Sequence, residues 1–324
     1  MASVAHALTD LAALAGEARR KNQDVRLAID NAHVLAKTLP ANAQLSQSSE
    51  SQTVFCAPFL LALQSQSTRL VLAALPALLR LVSLHSLCDS DLATLVDTLY
   101  HFDGAAQPME TQLKMLQVLP AVALVHMLDS TRFVRVVAVI SRLAASPNVV
   151  VANTASATLQ QVVSALFDGL RGHDMDQEAL KTEISIETVP GGKSTPLLLD
   201  DLELRCHRVI LDLSDAFLGK KFAFFTDKDI RIRPEAALEI LENVFALNKQ
   251  LFATRLELTL VLKLKTAPGL LHVLNSPTPL YALTVRALRL LLLMISMEIP
   301  DLADEIELLL ASTNHILLDD SVAA

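Results

Sequence analysis

The sequence contains no tryptophan, only eight glycines and only 4% aromatic residues. A β-sandwich needs β-branched and aromatic residues in alternation and many glycine turns, so this class of fold is poorly supported. Hydrophobic residues nevertheless make up 52% of the 324 residues, and nearly all of them are Leu, Ala, Val and Ile. Because Leu and Ala favour helices, the composition predicts an all-α protein.

Cysteine and positive charge are also scarce. The three cysteines, Cys56, Cys88 and Cys206, are odd in number, widely spaced and embedded among apolar residues. This pattern indicates neither a disulfide framework nor a zinc site, and we predict that all three are small core residues. The net charge of −8 argues against nucleic acid as the main partner, since phosphate binding needs a concentrated basic stripe.

Targeting signals are not evident in the first residues. They lack the basic-then-apolar order of a signal peptide, and no glycine follows the initiator methionine. The strongest candidate for a membrane span, segment 70–87, carries Pro76, Arg80 and His85, and a central charge costs about 2.5–3.5 kcal/mol on insertion. We therefore interpret this segment as a helix packed on both sides by its neighbours and predict a cytoplasmic protein.

The first helical pattern extends from Leu11 to Ala36 and predicts one long amphipathic helix. The pattern stops near Pro40, and the Ser/Gln-rich segment 41–53 predicts a mobile loop. A second mobile loop is predicted at 171–199, which is rich in acidic and small residues.

Helical segments of similar length fill most of the chain. Three successive starts, near Met109, Thr131 and Asn153, are separated by 22 residues each. Two such helices make a unit of about 44 residues, within the 40–47 range of HEAT and armadillo repeats. We therefore predict one armadillo/HEAT-like, right-handed α-solenoid of antiparallel helix pairs over residues 1–324, with no sheet.

Motifs that would indicate catalysis are weak. The segment 190–195 ends like a phosphate-binding loop, but Glu187 stands where its first glycine belongs, and we predict no strand before it and no helix directly after it. The nine histidines form no ligand pair on a predicted helix face, and no Gly-x-Ser-x-Gly motif occurs. We predict no enzymatic activity, no cofactor and no metal.

Two basic clusters are candidate binding sites. Arg19, Arg20 and Lys21 lie in the middle of the predicted opening helix and are candidates for partner binding, although charges on amphipathic helices more often only face water. The second cluster lies within 219–234 and interleaves cations with phenylalanines. Its members are Lys220, Lys221, Lys228, Arg231 and Arg233 with Phe222, Phe224 and Phe225.

This second cluster has two interpretations. Basic and aromatic residues together can bind an anionic membrane surface, where each cation contributes about 1 kcal/mol. The alternative is a loop between helices whose phenylalanines point into the core, and Asp227 and Asp229 favour it by diluting the positive charge.

Four stretches resemble one protein family. They are EARRKNQDVRLAID at 17–30, NTASATLQQVVSALF at 153–167, LEILENV at 238–244 and VRALRLL at 285–291. In order and spacing they are similar to the N-terminal region of the large Golgi Arf-exchange-factor-related proteins, specifically the Mon-two (Ysl-two) scaffolds. A Phe-Gly pair expected before the third stretch is replaced by Ala236 and Ala237.

The resemblance implies a dimerisation and cyclophilin-binding domain of the armadillo type, at the N-terminal end of a much longer protein. It implies a non-catalytic scaffold on trans-Golgi and endosomal membranes whose partners are an Arf-like small GTPase and a Dopey-type protein, with a homodimer as a further expected assembly. The alternative function is a peripheral module that binds anionic lipids through the second cluster. A cargo receptor of the armadillo type is less well supported, because no ladder of Trp and Asn lines the predicted helices.

Overall fold

Helices dominate the computed structural model of the chain, which describes residues 3–40, 43–65, 67–125, 128–172, 181–187, 194–276 and 280–318. They form two compact units, Met1–Val162 and Val163–Ala324. The single solenoid domain expected over residues 1–324 stays a prediction. Within each unit, helices close in sequence pack against one another. This arrangement confirms the predicted all-α solenoid of paired helices.

The first unit is built from helices of 13 to 16 residues and from the first part of a longer one. In chain order these helices are α1 (Val4–Glu17), α2 (Gln23–Ala36), α3 (Ser49–Gln64), α4 (Thr68–Ser83), α5 (Asp89–His101), α6 (Met109–Ala123), α7 (Ser130–Ala144) and α8 (Val149–Arg171). Helix α3 packs against α4 and α5, α4 against α6, and α5 against α7. Each helix thus buries an apolar face between neighbours, and the largest buried side chains here are Phe55, Phe59 and Phe133.

The opening region consists of two helices, not the one long helix predicted from Leu11 to Ala36. Helix α1 ends at Glu17, and the buried Ala18 has an extended backbone, with φ −75° and ψ 103°. The break lets α1 pack on α4 while α2 packs on α3. Tertiary packing therefore overrides the continuous helical propensity of this stretch.

The loop predicted at 41–53 is shorter than expected. Helix α3 begins at Ser49, Leu45 is only 1% exposed, and Gln44 pairs with Ser3 in an isolated β-bridge. One serine of the predicted loop, Ser48, instead caps α3. Its hydroxyl accepts a hydrogen bond from the Ser51 N–H.

The second unit combines a small sheet with further helices. In chain order its elements after α8 are β1 (Thr182–Glu187), β2 (Ser194–Leu199), α9 (Asp201–Ala216), α10 (Pro234–Leu247), α11 (Lys249–Thr254), α12 (Leu256–Val261), α13 (Ala267–Leu274), α14 (Tyr281–Ser296) and α15 (Ala303–Leu318). A π-helical turn at Leu262–Thr266 joins α12 to α13. The core contains Phe167, Phe245 and Phe252, with ring centroids of the last two 4.8 Å apart.

The absence of a sheet was predicted wrongly. Strands β1 and β2 pair antiparallel with Thr182 opposite Leu199 and Glu187 opposite Ser194. The apolar residues Ile184 and Leu197 face each other in this register and lie on one side of the pair. Residues 188–193, with the glycines of the phosphate-loop-like motif, lie outside the described residues.

Helix α8 begins earlier than predicted. Asn148, not Asn153, caps it, because the Asn148 carboxamide oxygen accepts hydrogen bonds from the N–H groups of Val150 and Val151. Among the described residues α8 alone has the length and apolar composition of a membrane span, but Val151 and Phe167 are fully buried in the core. The candidate span at 70–87 contributes a helix of only 16 residues, α4.

Two of the three cysteines lie in the core as predicted. Cys56 and Cys206 are buried, whereas Cys88 is half-buried at the start of α5. The Cys88 thiol donates to the Asp91 carboxylate at 3.0 Å.

Candidate functional site: two basic loops

The first basic cluster, Arg19, Arg20 and Lys21, which we call the basic triplet, lies in the turn between α1 and α2. It was predicted in the middle of a helix, and the break after Glu17 moves it to a loop. All three side chains are exposed, and none forms an ion pair within the described part of the chain. The turn is closed by a backbone hydrogen bond of 2.9 Å from Asn22 N–H to the Arg19 carbonyl.

The second cluster forms a longer loop between α9 and α10, residues 219–233, which we call the basic loop. Gly219 has φ +66°, a left-handed conformation that glycine adopts without steric cost and that turns the chain away from α9. The Lys220 N–H then donates to the Asp215 carbonyl at 3.0 Å. Pro234 ends the loop by occupying the first position of α10, as the sequence predicted.

A buried carboxylate fixes the path of the basic loop. Asp212 on α9 is completely buried, and its oxygens accept hydrogen bonds from three successive backbone N–H groups. The distances are 2.9 Å from Ala223, 2.9 Å from Phe224 and 2.6 Å from Phe225. Hydrogen bonds to a charged acceptor are about twice as strong as neutral ones, so this clamp holds the backbone firmly.

The phenylalanines of the loop face the core. Phe225 is 1% exposed and Phe224 9%, and their ring centroids lie 5.3 Å apart. Only Phe222 is half-buried. Phe224 and Phe225 are therefore not available to contact a membrane. Their burial agrees with the alternative interpretation, a loop between helices whose phenylalanines point into the core.

The cations of the loop point the other way. Lys220, Lys221, Lys228, Arg231 and Arg233 are all exposed. The loop also contains two aspartates, so its net charge is +3. Asp212 holds the backbone of the loop through its three hydrogen bonds. The loop therefore buries phenylalanine rings on one side and exposes its cations on the other.

Burial raises the pKa of Asp212 above its ordinary range, and the three N–H donors oppose this rise. A folded-state pKa above the unfolded value means that the folded protein binds the proton more tightly. The contribution of Asp212 to stability is therefore complete below the ordinary aspartate pKa and decreases as the pH rises through the folded-state value.

Asp212 was not identified from the sequence. It lies three residues after the buried Val209 and next to the buried Leu213, so it occupies the apolar stripe of α9. A lone acid on such a stripe is the signal that could have marked it, because a buried charge must find partners.

A second buried polar cluster surrounds the start of α9. Asp200 and Glu203 form a capping box, Glu203 also forms an ion pair with Arg255, and the His207 imidazole contacts the Glu257 carbonyl at 3.1 Å. Burial lowers the pKa of His207. The Glu257 Oε1 atom is buried without a hydrogen-bond partner, and burial, with Glu203 adding to it, raises the pKa of that carboxyl.

Among the described residues no group of three or more His, Cys, Asp or Glu side chains has the arrangement of a metal site. The two basic clusters lie one in each unit, the basic triplet in the first and the basic loop in the second.

Two family models match the chain. The model described as the Mon2/Sec7/BIG1-like dimerisation and cyclophilin-binding domain matches residues 2–174, and the model described as the Mon2/Sec7/BIG1-like HUS domain matches residues 209–324. Protein MON2 of Saccharomyces cerevisiae is 27% identical over 328 residues, which cover 94% of this chain and 18% of the yeast protein. The chain thus spans about a fifth of the length of this relative.

The first of these models covers more than half of the chain, and the second continues the same family through the helices after α8. The resemblance found in the four sequence stretches is confirmed. The chain belongs to the Mon2/Sec7/BIG1-like family and carries its dimerisation and cyclophilin-binding domain.

Proposed function

We propose that this chain is a non-catalytic regulatory scaffold in Golgi and endosomal membrane traffic. Its partners are an Arf-like small GTPase, a Dopey-type protein and a second copy of the chain, and it acts on the cytoplasmic side of trans-Golgi and endosomal membranes. The observation that carries the proposal is the match of residues 2–174 to a family described by dimerisation and cyclophilin binding.

The physical basis is the helical stack. Stacked helix pairs expose long surfaces that suit broad protein contacts. The basic triplet lies exposed at a turn of this stack in a protein of net charge −8. A local positive patch on an acidic molecule steers an acidic partner into register and raises its association rate.

The test is charge reversal of the basic triplet, Arg19→Glu, Arg20→Glu and Lys21→Glu in one variant. We expect weaker capture of an Arf-like GTPase, loaded in parallel with GDP and with a GTP analogue, or a lower self-association constant in analytical ultracentrifugation. The matched control is the same reversal at Lys220, Lys221 and Lys228 in the other unit. Unchanged binding by a folded triplet variant contradicts the role of the triplet, and nucleotide hydrolysis or exchange by the purified chain contradicts a non-catalytic scaffold.

A second candidate function is supported by the basic loop. The Asp212 clamp and the buried phenylalanines leave five cations exposed on one ordered segment. Such an array suits an anionic membrane surface, where each Lys or Arg contributes about 1 kcal/mol. This function relies on charge alone, because Phe224 and Phe225 cannot enter the bilayer.

Flotation with phosphatidylcholine vesicles, with and without phosphatidylserine, tests this second function. Reversal of Lys220, Lys221 and Lys228 to Glu is expected to reduce partitioning onto the anionic vesicles by roughly a hundredfold or more. Added salt is expected to weaken binding of the unmodified chain. The triplet variant serves as control, and equal flotation of the loop variant would exclude the basic loop as a lipid site.

A further inference from the structure

A groove of about 620 Å³ opens in the first unit. It is lined by the end of α4, by one side of α6 and by the middle of α8. Neither basic loop contributes to it, and the proposed functions do not use it. Its volume falls within the range of sites that bind ligands or peptide segments.

The lining of the groove contains one ionisable side chain, His85. Among the described residues that form it, none is Asp, Glu, Lys or Arg. Its apolar wall includes Leu116 and Pro120 on α6 and Leu124 directly after that helix, and Leu124 is 45% exposed. In a protein with 62 charged residues, such a surface selects a neutral occupant, because a charged one would lose hydration without gaining a partner.

The same walls offer hydrogen-bond acceptors to an occupant. Pro120 lies inside α6 and has no N–H, so the Leu116 carbonyl lacks its α-helical donor. On the facing helix, the Thr154 hydroxyl donates to the Val150 carbonyl at 2.7 Å and the Thr158 hydroxyl to the Thr154 carbonyl at 2.8 Å. These donors are used, whereas the hydroxyl oxygens remain able to accept. An occupant that supplies N–H groups would complete them.

Two carboxamides add donors to the same groove. Gln117 on α6 and Gln161 on α8 both line the groove and are both exposed. A carboxamide offers two N–H donors and one acceptor oxygen, which match the C=O and N–H groups of a peptide unit. A helical ligand uses those groups internally, whereas an extended segment presents them to the walls.

We propose that this groove binds an extended, uncharged peptide segment of a partner protein, held through its backbone by Gln117 and Gln161 and through apolar side chains by the α6 wall. The wall from Leu116 to Leu124 is about 12 Å long at 1.5 Å per residue. This length accommodates about four extended residues. The groove thus recognises a short segment whose sequence can vary, provided that it carries no charge.

A positional-scanning library of fluorescein-labelled, N-acetylated and C-amidated hexapeptides tests the proposal by fluorescence polarisation with the full 324-residue chain. We expect enrichment of Leu, Ile, Val and Phe and depletion of charged residues over about four positions. The best peptide is then resynthesised with N-methyl groups on its central amides, which removes the N–H donors and leaves the side chains in place. Binding is expected to weaken at least tenfold.

Protein variants locate the site. Gln117→Ala and Gln161→Ala are each expected to weaken binding roughly five- to tenfold, and Leu124→Arg is expected to abolish it. Leu124 is partly exposed, so this change should leave the fold intact. The control is Gln23→Ala, an exposed glutamine on α2 that does not line the groove. Circular dichroism melting identifies any variant that fails to fold, and Gln161→Glu then provides a second probe through added charge.

Three outcomes would overturn the proposal. The first is a library without any preference for uncharged positions. The second is equal affinity of the N-methylated peptide, which would indicate an apolar pocket that does not read the backbone. The third is a peptide whose affinity is insensitive to all groove variants, which would place its site elsewhere on the chain.

Discussion

The basic triplet and the basic loop carry similar charge but are held in different ways. The triplet lies in a short turn closed by a single backbone hydrogen bond, from Asn22 to Arg19. The basic loop is bound to α9 through three N–H groups and one buried carboxylate, and it buries two aromatic rings. The backbone that carries the second set of charges is therefore held by more hydrogen bonds than the backbone that carries the first.

This difference extends to the two units that carry the loops. Among the described residues, Asp91 is the one buried Asp, Glu, Lys or Arg of the first unit. The second unit buries Asp200, Glu203, Arg205, Asp212 and Glu257. Buried charges are costly unless they are paired, and breaking one pair destabilises strongly. The second unit should therefore be the more sensitive to substitution and to pH.

The largest effect is expected from removal of the Asp212 clamp. Asp212→Ala leaves three buried N–H groups without an acceptor and should lower the free energy of unfolding by about 3 kcal/mol. Urea denaturation measures the loss, and hydrogen exchange should accelerate at the amides of Ala223, Phe224 and Phe225. Asp215→Asn, three residues away on the same helix, is the control. If Asp212→Ala is as stable as that control, the clamp does not hold the loop.

The next effect concerns glycines near each loop. A Cβ added at Gly269 would lie 2.7 Å from Phe217, just before the basic loop, whereas one at Gly16, near the triplet, meets nothing within 4 Å. Gly269→Ala should cost about 1–3 kcal/mol through overpacking, and Gly16→Ala should stabilise α1 by about 0.5–1 kcal/mol. Thermal melting should give a lower melting temperature for Gly269→Ala and a higher one for Gly16→Ala than for the unmodified chain. Equal shifts would contradict the contrast in packing.

A smaller effect, of the order of 1 kcal/mol, is expected from Glu257→Gln. Burial raises the pKa of Glu257 in the folded state, so the ionised carboxyl destabilises the fold above that pKa and has no such effect below the unfolded value of about 4.3. The variant should therefore exceed the unmodified chain in stability at pH 8, and the gap should narrow as the pH falls towards 4.3. Urea denaturation across this range measures the gap, with Glu307→Gln, at an exposed site on α15, as the control.

The smallest effect is expected from reversal of the basic triplet. Exposed charges typically change stability by less than about 0.5 kcal/mol, and these three side chains form no ion pair within the described residues. The variant Arg19→Glu, Arg20→Glu and Lys21→Glu should melt like the unmodified chain while binding is impaired. A large loss of stability would show that the turn is structural after all.

Local signals in the sequence predicted much of the helical fold. Pro234 marks the start of α10, because proline favours the first turn of a helix. Met109 marks the start of α6, because an apolar helical pattern begins there. The break at Ala18 could not be predicted in this way, since its cause is the packing of α1 and α2 on different neighbours. The strands around Thr182–Glu187 were missed because Pro and Gly nearby favoured a loop, although TEISIE alternates polar and apolar residues.

The candidate site was predicted in composition but not in geometry. The cations at 220–233 were identified from their charge, and their exposure follows from hydration. The inward direction of Phe224 depends on the hydrogen bonds to Asp212, which lies 12 residues earlier in the chain. The residue pattern within the loop itself does not indicate that contact.

The pairing of helices close in sequence also affects how the protein is made. The ion pairs Arg135–Asp97 and Arg132–Asp89 join positions 38 and 43 residues apart. At a synthesis rate of about 5–20 residues per second, the ribosome adds the second partner roughly 2 to 9 seconds after the first. The first unit can therefore form these helix pairs while the second is still being translated.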